Sequence, residues 1–223
     1  MSEPGSRRGR GRAHDAEGAR EAILNAAEEV FAEHGFDGAR IDAIAETAGY
    51  NKSLIFHYYD DKLGLYAAVL KRIDEQGAEL QATLLAPLGA DESLTSDTDK
   101  FRTFLATATR LLFDVLIEHP RLSRMIAWEE AEGWQTMRKI ASQFNTEDEK
   151  LFRQLLNKAQ QAGIIRPKID PDRLFYIIYA VCQSYLTTIP FMEMAFEGED
   201  LSSPDALKQA REMIVDFVIH GVM

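Results

Sequence analysis

The chain has 223 residues, 46% of them hydrophobic, a formal net charge of −11 and a single cysteine, Cys182. That length suits one long helical domain, or a small domain beside a larger one. A lone cysteine excludes an internal disulfide and fits a reducing cytoplasm.

No charged-then-apolar leader opens the sequence, and no run of 18 uncharged apolar residues occurs. Neither a signal peptide nor a membrane span is therefore expected. The acidic excess is read as serving solubility, so any contact with nucleic acid must come from a local patch. Glycine and proline are sparse, at 14 and 7, and fall mostly between periodic segments. This favours helices over strands.

Residues 1–14 carry Arg7, Arg8, Arg10 and Arg12 against Glu3, a local charge of +3, without apolar periodicity. They read as a disordered basic arm, either lying along phosphates or simply solvated. Asp15–His34 is the first predicted helix, with Ile23, Ala27, Val30 and Phe31 on one face and Gly35 as its stop. A second helix is expected over Ile41–Ala48. Gly49 makes the turn after it, and Asn51 caps a third helix, Lys52–Tyr59. Asp60 or Asp61 then caps a fourth, near Lys62–Leu85. Pro87, Gly89 and the polar run Asp91–Asp99 form a loop that marks a domain boundary, so residues 15–85 and 86–223 read as two domains.

Beyond the loop, Phe101–Leu116 carries a strong apolar stripe that ends at Pro120. A shorter helix follows over Arg121–Glu132, and another is expected to start at Trp134. Thr146 with Glu149 makes a capping box for the next. Asp170 with Pro171 opens a helix that is apolar nearly all round from Leu174 to Met194, which Pro190 should kink or end. Ser203 with Pro204 opens the last. The expected fold is all-α, with nine or ten helices and no internal repeat.

The segment Arg20–Leu70 resembles the N-terminal domain of the tetracycline-repressor (TetR) family. It combines an AA-x-x-x-F helix, a Gly-aromatic-Asp-Gly turn, I-A-x-x-A-G, a lysine-led third helix, an aromatic cluster and a lysine after an acidic cap. The resemblance implies a three-helix helix-turn-helix domain joined to a larger ligand-binding and dimerisation domain. It also implies a homodimer on a palindromic double-stranded DNA operator, released by a small-molecule effector of largely apolar character. Three positions depart from the family pattern: Ala39-Arg40 where a threonine is frequent, Tyr50 in place of valine, and Phe56 in place of tyrosine, whose hydroxyl usually reaches a phosphate.

A helix in the major groove reads bases with outward residues near its N-terminus. The expected DNA contacts are Lys52, Ser53, Leu54 and His57, with Tyr58 on the backbone, Lys62 at a helix start and Arg40 replacing the threonine. Leu54 serves equally as core, and Tyr59 is expected to pack inside. For the effector, Phe113, Met125, Trp128, Trp134, Tyr176, Tyr179 and Gln183 offer apolar walls with polar handles, although core packing explains each of them too. Glu129, Glu130 and Glu132 read as surface charges. The histidines show no metal spacing, and no phosphate loop or nucleophile elbow appears. No enzyme, cofactor or metal is therefore expected. A helical carrier or interaction module that does not use DNA is the alternative. Residues 1–84 hold 10 Lys/Arg against 15 Asp/Glu, so a regulator must bind through a few well-placed cations.

Overall fold

The computed structural model describes residues 7–89, 91, 93–144, 147–196 and 198–223. Among them are ten α-helices, one short 3₁₀ turn and no strand. The helices are α1 (Arg7–Gly38), α2 (Ile41–Ala48), α3 (Lys52–Tyr59), α4 (Lys62–Gly89), α5 (Thr98–Glu118), α6 (Pro120–Ala131), α7 (Met137–Ile140), α8 (Glu147–Gln161), α9 (Pro171–Ala195) and α10 (Pro204–Val222).

The chain folds into two compact units. Unit 1 is Met1–Asp74 with Arg124–Phe144; unit 2 is Glu75–Ser123 with Asn145–Met223. The units therefore do not part at residue 86. Composition marks the loop there, but α4 and α6 are continuous helices that carry no such mark where the units divide. The assignment of 124–144 to unit 1 depends on contacts distant in sequence.

Unit 1 is built on Ile23, Ala27 and Phe31 of α1, Ile44 of α2, Ile55 of α3, and Leu65, Tyr66 and Val69 of α4, all buried. Phe31 and Phe36 both meet Tyr66 edge-on, with ring centroids 4.9 and 5.2 Å apart. Helix α1 kinks at Gly35 (φ 67, ψ −179), backbone that is essentially glycine-only. From Arg7 on, the expected arm continues α1. Extending a formed helix avoids the cost of nucleating one. Residues 1–6 lie outside the described residues.

Unit 2 packs α5, α8, α9 and α10 around Phe101, Phe104, Leu105, Phe113, Leu156, Ile178, Cys182, Ile214 and Val218. Burial pushes the Cys182 thiol up to about 12, so it is a core residue rather than a nucleophile. Arg110 and Arg211 tie α5 to α10 by pairing with Glu212 and Asp114. The Arg110 hydrogen bond holds the Glu212 carboxyl below its ordinary range.

The cap residues act as their chemistry requires. The Asn51 side chain accepts from the Leu54 N–H at 2.9 Å, Asp170 from Asp172 N–H at 3.0 Å, and Ser203 from Ala206 N–H at 3.4 Å. Three expectations change. Helix α9 runs past Pro190 to Ala195. Proline removes one N–H bond, while the neighbouring Thr187 and Thr188 hydroxyls donate to carbonyls one turn back. Trp134 does not start a helix, because Gly133 and Trp134 both take left-handed backbone (φ 71 and 62); helix resumes only as the single turn of α7. Helix α4 reaches Gly89 rather than Leu85. The Thr146–Glu149 capping box lies outside the described residues.

Candidate nucleic-acid interface

Helices α2 and α3 make a tight pair. Gly49 closes α2 in the left-handed region (φ 73), and its N–H returns to the last carbonyls of that helix. Asn51 then starts α3 directly. Ile55 is fully buried and anchors α3, while Lys52, Ser53, Phe56 and His57 are exposed. Leu54, Tyr58 and Tyr59 are half-buried between these faces. Behind α3, Gly64 is fixed by space: a Cβ there would sit 2.3 Å from the Tyr59 carbonyl oxygen.

The expected contact residues have intramolecular partners that sequence did not suggest. Lys52 Nζ pairs with Asp42 Oδ1 of α2 at 2.5 Å. Lys62 Nζ donates to the Asp37 carbonyl at 3.2 Å and lies 4.7 Å from the Phe36 ring centroid. Desolvation holds the Lys62 pKa below the ordinary lysine value, against the opposing pull of Asp37 and Glu132. Arg40 is exposed in extended backbone immediately before α2. The Arg20 guanidinium sits 4.8 Å over the Tyr58 ring. Tyr59 donates to the Arg20 carbonyl at 3.2 Å, and burial raises its pKa. Two exposed aromatics, Tyr50 and Phe56, were not among the expected contacts. The spacing of four from Lys52 to Phe56 carried the signal for the second.

The proposed effector set is divided between the two units. Met125, Trp128 and Trp134 belong to unit 1; Phe113, Tyr176, Tyr179 and Gln183 belong to unit 2. Trp128 Nε1 donates to the Ala32 carbonyl at 3.3 Å, and its ring covers Gly35. Tyr176 is 54% exposed on α9. Phe113 is fully buried and Tyr179 packs against the unit 2 core. Gln183 is buried; its Nε2 donates to the Ser123 carbonyl at 2.7 Å, which leaves Oε1 as a buried acceptor with no partner among the described residues. Glu129 is also buried rather than a surface charge. It accepts from the Tyr66 hydroxyl and the Met137 N–H, each at 3.0 Å. Among the described residues no cluster of His, Cys, Asp and Glu could hold a metal ion.

Two family models match the chain: "Bacterial regulatory proteins, tetR family" over residues 23–69, and "Tetracyclin repressor-like, C-terminal domain" over residues 102–218. The HTH-type transcriptional regulator RutR of Escherichia coli strain K12 is 30% identical over 205 residues, covering 91% of this chain and 90% of its own length. The HTH-type transcriptional repressor SCO4008 of Streptomyces coelicolor is 29% identical over 209 residues, or 92% and 98% of the two chains. Among solved structures, the regulator SCO4942 of Streptomyces coelicolor superposes with a TM-score of 0.63 at 25% identity, covering 92% and 98%. FadR of Bacillus subtilis, solved in complex with stearoyl-CoA, shares the fold with a TM-score of 0.61 at 18% identity, covering 91% and 99%. Both domains match in order and over nearly the whole length: the chain belongs to the tetracycline-repressor family of helix-turn-helix transcriptional regulators.

Proposed function

We propose that the protein is a cytoplasmic, ligand-responsive repressor that binds a palindromic operator as a homodimer and is released by a small-molecule inducer. The observation that carries the operator reading is α3 itself, which exposes Lys52, Ser53, Phe56 and His57 while Ile55 holds it from behind. Two such helices at about 34–36 Å would meet successive major-groove turns. The homodimer is supported by the exposed apolar residues Tyr176, Ile177, Phe191 and Met194 of α9, with Met213 and Phe217 of α10. The inducer reading is supported by relatives that are named repressors and by FadR's bound ligand. Gln183 Oε1, a buried acceptor beside an apolar core, suits a largely apolar inducer with one hydrogen-bond donor. Release requires that the inducer bind the DNA-free state more tightly than the bound one.

The test is selection of bound DNA from a random pool, followed by fluorescence anisotropy on the selected duplex across a salt series. A palindromic operator and an affinity that falls steeply with salt are expected. Lys52→Ala should weaken binding and flatten the salt slope by about 1 per lost phosphate contact. Salt-independent binding, or recovery of no DNA at all, would defeat the reading.

A further inference from the structure

Resting on the operator reading above, we infer that Phe56 is a specificity-determining residue that recognises the 5-methyl group of a thymine in each operator half-site. At about 100° per residue, Lys52, Phe56, Ser53 and His57 fall at roughly 0°, 40°, 100° and 140° around α3. Phe56 therefore lies inside the exposed arc, between Lys52 and Ser53, and not at its margin. Phe56 is 42% exposed, while the residue before it, Ile55, is fully buried. Among the described residues no aromatic contact pairs the Phe56 ring with another side chain, although the neighbouring His57, Tyr58 and Tyr59 rings contact one another in sequence.

The chemistry of the ring decides its target. Phenylalanine has no hydroxyl, so it cannot donate to a phosphate or to a base edge. Every base pair in the major groove presents hydrogen-bonding groups, and the one apolar group there is the thymine 5-methyl. An aromatic ring held at the middle of the reading arc gains from desolvating that methyl. It loses against a cytosine amine or a guanine carbonyl, whose hydration it would strip without return. Lys52 and Ser53, on either side, have the polar atoms to read the neighbouring positions.

The experiment uses the full chain and the operator selected from a random pool. Each thymine is replaced in turn by deoxyuridine, which removes the methyl and leaves every hydrogen-bonding group in place. Affinity is read by anisotropy at fixed salt. For the wild type, one thymine per half-site should be sensitive, weakening binding about 4-fold for a single replacement and about 15-fold when both half-sites are changed. Phe56→Ala should bind the thymine and deoxyuridine operators equally. Phe56→Leu, which restores an apolar side chain, should recover part of the discrimination. Because Phe56 is exposed, these variants should melt like the wild type. Equal wild-type binding to every deoxyuridine duplex would overturn the inference while leaving the operator reading intact. So would an undiminished methyl effect in Phe56→Ala. Recovery of no operator would overturn both.

Discussion

Asp42 is the residue paired with Lys52, and on the proposed operator it would set how strongly Lys52 acts. The two charges meet at 2.5 Å across the α2–α3 turn, with their side chains 58% and 49% exposed. Such an exposed pair is worth roughly 0–1 kcal/mol, so it holds Lys52 in position without locking it. A phosphate or guanine must compete with the carboxylate, and the carboxylate itself repels the DNA backbone. Asp42→Asn should therefore raise operator affinity, by roughly 3- to 10-fold at low salt with the gain shrinking as salt rises. Anisotropy titrations at two salt concentrations check this, and weaker binding would show that Asp42 orients Lys52 productively. Sequence named the lysine but not its partner. Asp42 and Lys52 lie ten residues apart on different helices, and no spacing rule pairs them before the turn geometry is known. Glu129 escaped for the same reason. It looked like one of three surface acids, yet Tyr66, which satisfies its carboxylate, is 63 positions away.

At the scale of elements, the segment Arg124–Phe144 departs furthest from what the sequence suggested. Helix periods, caps and the Gly49 turn were legible because they are local: Asn51, Asp170 and Ser203 each bond backbone within three residues. The N-terminal domain was legible for a second reason, since its turn and cap residues recur as a family pattern. The packing of Trp128 was not local. The segment reaches back to Gly35, where a Cβ would stand 3.0 Å from the Trp128 ring on backbone at φ +67. Gly35→Ala thus meets two penalties. The backbone alone costs about 1–3 kcal/mol, enough to lower the melting temperature by roughly 2–12 °C in a chain of this size. In a Trp128→Ala background the clash is gone and only the backbone cost remains. A double-mutant cycle should therefore show a smaller loss for Gly35→Ala when Trp128 is absent. An equal loss in both backgrounds would mean that the indole does not rest on Gly35 in solution.

For the whole molecule, the decisive feature is the uncovered side of α9 and α10. By length and composition α9 could cross a membrane, and 28% of its most apolar window is buried. Its inner side packs Leu174, Ile178, Cys182 and Ile189, which places it in a protein core with one side left open. Phe191, Met194, Met213 and Phe217 are each more than half exposed, and every such side chain left in water forgoes about 1.5–3 kcal/mol of burial. A second copy would cover this face, and it would also supply the bivalency that a protein of net charge −11 needs on DNA. Phe217→Glu tests both consequences at once. The position is exposed in the single chain, so the variant should keep its helical signal. By analytical ultracentrifugation it should sediment as a monomer at concentrations where the wild type is expected to sediment as a dimer. Its operator affinity should fall by roughly 10²–10⁴, the loss expected when two linked contacts become one, while affinity for an isolated half-site should change little. Were the variant to remain dimeric at full affinity, the pairing surface would lie elsewhere. Were it monomeric with unchanged affinity, one copy of α3 would suffice for recognition.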